Sequence, residues 1–220
     1  MKLSSLFSKI ALLAVTGQFV CHSQSTLIFS NSGKVESIVN STSYDVSGKT
    51  SRGPKGTISW SETSFMFVAG SSTVPRTATI KASIDAFPSD EPSNMLVNGY
   101  LWTHDRATNL PGTIIAEWTF IATKESKPGF WTDSSPIYTG GEVPVLVAGE
   151  CYWFSLRRDN NIPREFNACW YNNMSGTSLV AQRSATKDFT NPLTITPWIT
   201  ERKLSPSLEL NGVAQFSSAQ

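Results

Sequence analysis

The residues of this 220-residue chain that could do acid–base or nucleophilic chemistry gather in the middle, in LWTHDRATNLPGTIIAEWTF (Leu101–Phe120). His104, the one histidine outside the N-terminal leader, stands there beside Asp105, with Glu117 downstream. A histidine-activated nucleophile needs a base and an orienting group on one side of the chain, and neighbours on a strand point to opposite faces. His104 and Asp105 therefore make no dyad by adjacency. A zinc site needs several nitrogen or sulfur ligands at short spacing, which a single histidine does not supply. Paired carboxylates for glycoside hydrolysis need no sequence signature, so Asp105, Glu117, Glu142, Glu150 and Glu165 all qualify by type; they read better as solvated acids on loop tips and polar strand faces. Asp105 and Asn109 with nearby carbonyls have the oxygen chemistry of a Ca²⁺ loop, but one acid and one amide fall short of a motif, and turn chemistry is the preferred reading. No glycine-rich phosphate loop follows a strand. The sequence thus predicts no catalytic set, no metal and no cofactor.

Two cysteines, Cys151 and Cys169, lie beyond the leader. Their midpoint falls in RRDNNIPRE, where Asp159, Asn160 and Asn161 favour a turn, so the spacing predicts an antiparallel hairpin with the cysteines opposed and bridged. In that register Tyr152 faces Ala168, Phe154 faces Phe166, Trp153 faces Asn167 and Ser155 faces Glu165. The Tyr152, Phe154, Phe166 and Ala168 side reads as core. The other side would carry a polar, aromatic platform of Trp153, Tyr171, Asn167 and Glu165, with Trp198 in TITPWIT as a second candidate ring.

These residues need strands to hold them. TIKASIDA (Thr79–Ala86) alternates Ile80, Ala82, Ile84 and Ala86 with Thr79, Lys81, Ser83 and Asp85, and IIAEWTFIA places Ile114, Ala116, Trp118, Phe120 and Ala122 on one side. Period two is the signature of a strand with one buried face. Further short runs appear at Thr26–Ser30, Lys34–Asn40, Thr57–Ala69, Met95–Thr103, Val143–Val147, Cys151–Leu156, Phe166–Asn172, Ser178–Arg183 and Ser207–Val213, separated by segments dense in Gly, Pro, Ser, Asp or Lys. No apolar stripe of helical period persists for three turns. The pattern predicts an all-β chain, an antiparallel β-sandwich of jelly-roll type, with Asp45–Gly56 as its mobile loop. Leu101–Phe120 reads as a hairpin closing at the Leu-Pro-Gly turn, with Pro111 fixing φ and Gly112 supplying positive φ. Gly149 reads as a turn residue before the Cys151 strand.

Residues 1–23 read as a secretory signal peptide: Lys2 and Lys9 precede an apolar run, Ile10–Val20, too short to span a bilayer permanently. Acylation of Cys21 is disfavoured because Gln18-Phe19-Val20 lacks the usual lipoprotein pattern. Removing the leader takes away two lysines and no acid, so the net charge moves from +1 to −1. No basic stripe offers itself to nucleic acid. The rest suffices for one domain, with residues 24–56 supplying N-terminal strands and the loop, and 57–220 the sandwich.

The strand GYLWTHD, the Leu110–Gly112 segment, the strand Ile114–Phe120, the PVLVAGECYWF run (Leu146–Phe154) and Ala168–Tyr171 together resemble a group of exported bacterial β-sandwich domains that occur with PEP-CTERM or other choice-of-anchor sorting tails. The resemblance covers about Thr79–Gly176, rests on architectural residues and carries no catalytic set. The chain departs from the group in closing on FSSAQ without such a tail, so the resemblance is silent on cell attachment. The expected role is that of a secreted or cell-surface, non-catalytic binding or adhesion module with glycan as the leading ligand class. A self-associating matrix component is the alternative, and a polysaccharide hydrolase ranks third.

Overall fold

A computed structural model describes residues 25–31, 43–50, 57–86, 94–123, 129–158, 166–188 and 194–214. The signal-peptide segment, the expected Lys34–Asn40 strand and Glu165 lie outside them. Thirteen strands occupy the described residues: β1 (Ser25–Ser30), β2 (Ser43–Thr50), β3 (Thr57–Val68), β4 (Val74–Ala86), β5 (Asn94–Asp105), β6 (Leu110–Thr123), β7 (Gly129–Asp133), β8 (Ile137–Tyr138), β9 (Cys151–Arg158), β10 (Phe166–Asp188), β11 (Thr194–Ile195), β12 (Ile199–Pro206) and β13 (Leu208–Val213). Every pairing is antiparallel, along the order β1-β13-β4-β10-β2-β3-β9-β5-β6-β8, with β7 on β4 and β11 and β12 on β10. The all-β antiparallel class read from the alternation is the observed one. The strands form one continuous, curled sheet, and no division into two separately bonded sheets is seen among the described residues. No helix among them is long and apolar enough to cross a membrane.

Curling brings one sheet face together as the main core. Phe65, Phe67, Leu101, Ala116, Trp118, Phe120, Phe154, Trp170 and Leu210 are all buried in it. Its rings meet at tilted or edge-on angles, as the aromatic quadrupole prefers: Trp170 contacts Phe65 at 5.6 Å and Phe154 at 6.1 Å between centroids, and Trp118 contacts Phe154 at 5.8 Å. Indole donors taken into this core must find acceptors. Trp118 Nε1 of β6 donates to the Arg76 carbonyl of β4, far along the strand order, and Trp170 Nε1 donates to that of Ser207, whose N–H in turn bonds the adjacent Tyr171 carbonyl. Gly99 is required by close approach, because a Cβ there would stand 2.8 Å from the rings of both Phe120 and Phe154.

Three expectations need correction. The predicted mobile loop begins with strand: Asp45–Thr50 belong to β2, which pairs with β10 and β3. In Leu101–Phe120 the hairpin is observed as β5 and β6, but its turn is Arg106–Asn109 and Leu110-Pro111-Gly112 already belongs to β6. The left-handed residue is Asn109 (φ 58°), not Gly112, whose lack of a Cβ instead admits the Thr103 hydroxyl. Gly149 does adopt positive φ, 85°. Finally, a bulge pairs Leu101 with Ala116 and Trp102 with Ile114, so the alternation slips by one residue. Ile115 packs on the main core and Ile114 on the opposite face, contrary to a simple count of two.

Candidate functional site

The Cys151–Cys169 hairpin does not form. β9 lies between β3 and β5, and β10 meets β2 and β4 along Phe166–Tyr171. Val68 pairs with Cys151, while Asp45 and Ser83 pair with Cys169, so the two thiols are apart and form no disulfide. The predicted disulfide is therefore overturned. Alternation nevertheless assigned the faces well: Tyr152, Phe154 and Ala168 are all buried in the main core. Sequence spacing shows which residues share a face, but not which strand will lie alongside, and here β2 and β3 intervene.

The platform expected from that register is dispersed. Trp153 is fully buried, paired across strands with Met66 and Trp102 rather than Asn167. Tyr171 is half-buried, its hydroxyl 2.8 Å from that of Ser83. Asn167 sits on β10 opposite Ser47 and Ala86, and Glu165 lies outside the described residues. Trp198 is half-exposed and stands elsewhere, over the outer face of the sheet.

That outer face carries the arrangement that sequence reasoning missed. Trp60 and Glu62 of β3, Tyr100, Trp102 and His104 of β5, Trp153, Ser155 and Arg157 of β9, and Ala181 and Arg183 of β10 alternate with main-core residues on their own strands. The registers Arg183 opposite Glu62 opposite Arg157, and Tyr100 opposite Ser155, bring them into rows. Glu62, with no exposed side-chain surface, is the hub. Arg183 donates to its Oε2 from Nε at 2.9 Å and from Nη2 at 2.8 Å, and Ser155 Oγ donates to its Oε1 at 2.6 Å. Trp102 Nε1 donates in turn to Ser155 Oγ, and Arg157 Nη1 lies 3.8 Å from Glu62 Oε2. Arg157 Nη2 donates to the Tyr100 hydroxyl at 2.7 Å, which also accepts from Asn98. Burial raises the Tyr100 phenol above its ordinary range, with the positive charge of Arg157 pulling the other way.

Both guanidinium groups stack among rings. Arg157 lies 4.5 Å from the Tyr100 centroid and 4.9 Å from that of Trp60. Arg183 lies 4.2 Å from Trp198 and 5.1 Å from Trp102, and Trp198 meets Trp102 edge-on at 6.0 Å. A desolvated cation over a ring contributes about 1–2 kcal/mol, and planar guanidinium suits such stacking as an ammonium does not. The excess of two arginines over one glutamate is thus spread over four rings. The signal for this ladder was present as aromatic or charged residues two apart, Trp60/Glu62, Tyr100/Trp102, and Trp153/Ser155/Arg157. It is invisible without the registers that set them side by side.

Of the acids first considered for chemistry, Asp105, Glu117 and Glu150 have structural partners, Glu142 is exposed and Glu165 lies outside the described residues. Thr108 Oγ1 donates to Asp105 at 2.6 Å and the Ala107 N–H at 2.9 Å, and these bonds hold the Asp105 carboxyl below its ordinary range while closing the β5–β6 turn. Glu117 accepts from Asn98, and Glu150 pairs with Arg106 on the surface. His104 Nδ1 accepts from Trp153 Nε1 at 3.0 Å. Among the described residues no group of three or more His, Cys, Asp or Glu stands together as a metal cage. Set against known proteins, the chain matches no family model and no curated protein.

Proposed function

We propose that this protein is an exported, non-catalytic binding module whose contact surface surrounds Trp198, with carbohydrate as its leading ligand class. The observation that carries the reading is the way Trp198 is held. Arg183 stacks at 4.2 Å and Trp102 abuts edge-on, so a half-exposed ring is locked in place before any ligand arrives. Thr200 and Gln182 are exposed on the strands beside it, offering a hydroxyl and an amide at the rim. A rigid ring beside hydrogen-bonding groups suits the apolar C–H face of a sugar, and immobilising it in advance lowers the entropy cost of binding. The leader pattern and the resemblance to exported bacterial β-sandwich domains support export. Glu62, buried between two arginines and a serine, serves packing, which favours a binding module over a hydrolase.

The test is binding of the mature protein to a panel of immobilised polysaccharides and oligosaccharides. Trp198→Ala should weaken any glycan binding by about tenfold or more, while Leu27→Ser, at an exposed site on the edge strand β1, leaves it unchanged. Binding to no glycan on the panel, or binding indifferent to Trp198→Ala, would refute the reading. A second reading, assembly with further copies, draws on the exposed Val143, Val145 and Val147, which flank buried Leu146.

A further inference from the structure

The geometry points to a proton-sensitive latch on the outer face, in which neutral His104 holds the buried Trp153 indole and protonated His104 releases it. Four buried tryptophans of this fold donate their indole N–H to a partner. Trp118 and Trp170 use backbone carbonyls and Trp102 uses Ser155 Oγ, none of which changes charge between pH 5 and pH 8. Trp153 alone among these four uses an imidazole nitrogen, His104 Nδ1. An imidazole accepts a hydrogen bond only while that nitrogen lacks a proton, so His104 must be neutral with its proton on Nε2. Imidazolium has two donors and no acceptor. Rotating the ring does not help, since either nitrogen would then present N–H to N–H.

Trp153 has no exposed surface, so the released donor has no water at hand and carries the cost of an unsatisfied buried group. The ring planes, inclined by 28° with centroids 6.3 Å apart, must also part or slide. Trp153 packs with Trp102, Tyr100 and Ala181 and, through that cluster, with Trp198. Acid therefore loosens the outer face at its His104 end while the main core is untouched. The charged and titratable groups around His104 are few. Its own strand and turn bring Asp105 and Arg106, and the start of β9 brings Cys151 beside Glu150, which is occupied by Arg106. β6 opposes it with Pro111, and β3 and β10 contribute Met66 and Leu179 to the same cluster. Asp105 and a charged His104 attract each other. Glu62, Arg157 and Arg183 form their own network farther along the face.

The experiment follows the indole N–H resonances of ¹⁵N-labelled mature protein from about pH 8 to about pH 5, the range of an ordinary histidine, together with the His104 ring resonances. Trp153→Phe assigns the signal. The expected result is that the Trp153 indole proton moves upfield in step with the ring titration. Its protection against exchange should fall by about fivefold, the ordinary net worth of one hydrogen bond. His104→Asn, whose Oδ1 stands where Nδ1 does and accepts a hydrogen bond without titrating, should make the indole signal independent of pH. An indole resonance that stays still while the ring titrates overturns the latch. So does a His104→Asn protein with unchanged pH dependence, or a ring that does not titrate before the protein unfolds. No ligand is needed, so the outcome is independent of the glycan reading.

Discussion

The two faces of the β3–β9–β5 region are both buried, yet different physics keeps them so. On the inner face, Phe65, Phe154, Leu101 and Leu156 join Trp118 and Trp170 in a contiguous apolar cluster. Such burial is non-directional and contributes about 25 cal/mol per Å² of apolar surface removed from water. On the outer face, Trp60, Tyr100, Trp102 and Trp153 are covered as thoroughly, but by arginines, a glutamate, a serine and a histidine. Buried ion pairs add little net stability over a hydrophobic equivalent, because desolvation offsets their attraction. What they impose is geometry: each donor and ring has one place where its partner waits. The inner face makes the sheet fold, and the outer face gives four of its strands a fixed arrangement on which Trp198 rests.

Three substitutions put that contrast under strain. The largest effect belongs to the inner face: Trp118→Ala removes a fully buried ring and its bond to the Arg76 carbonyl, and should cost about 4 kcal/mol in urea unfolding. A loss under about 1 kcal/mol would mean that the inner cluster is loosely packed. Next, Glu62→Ala leaves Arg183 and Arg157 facing each other under the rings and should cost about 3 kcal/mol. Replacing Glu62, Arg157 and Arg183 together by Leu or Met should recover most of that stability while degrading the near-ultraviolet circular dichroism of the tryptophans. If the triple variant were as unstable as Glu62→Ala, the outer network would be a source of net stability after all. The smallest effect is that of Arg183→Lys, which keeps the charge but loses the flat stack on Trp198, at about 1 kcal/mol. A double-mutant cycle with Trp198→Ala isolates the stacking and should show coupling between the two positions.

Much of the inner face was legible in the residues. Ile80, Ala82, Ala116, Trp118, Phe120, Tyr152, Phe154 and Ala168 were assigned to the core by alternation alone and are buried there. The outer face was not legible, since Glu62, Arg157 and Arg183 lie on three strands remote in sequence. The count of two also failed at Ile114, where a bulge turns the side chain over. Lys81 and Ser83, expected to face water, are buried as well, with Lys81 over the Phe130 ring and Ser83 bonded to Tyr171. Burial depresses the Lys81 ammonium below its usual range.

Local chemistry determined what could be decided within a few residues. The extended backbone, the face on which side chains stand away from bulges, the left-handed Gly149 and the Asp105 cap of the β5–β6 turn all follow from alternation and turn preference. Strand partnership is a long-range matter, and only the folded chain decided it. Pairing β9 with β3 and β5 instead of β10 separated Cys151 from Cys169 and buried Trp153 against His104, and placing β3 between β9 and the second half of β10 assembled Glu62, Arg157 and Arg183 from distant segments. The physical reason is that side-chain alternation repeats identically for every neighbour a strand might take. Only the joint packing of all strands around one core distinguishes them.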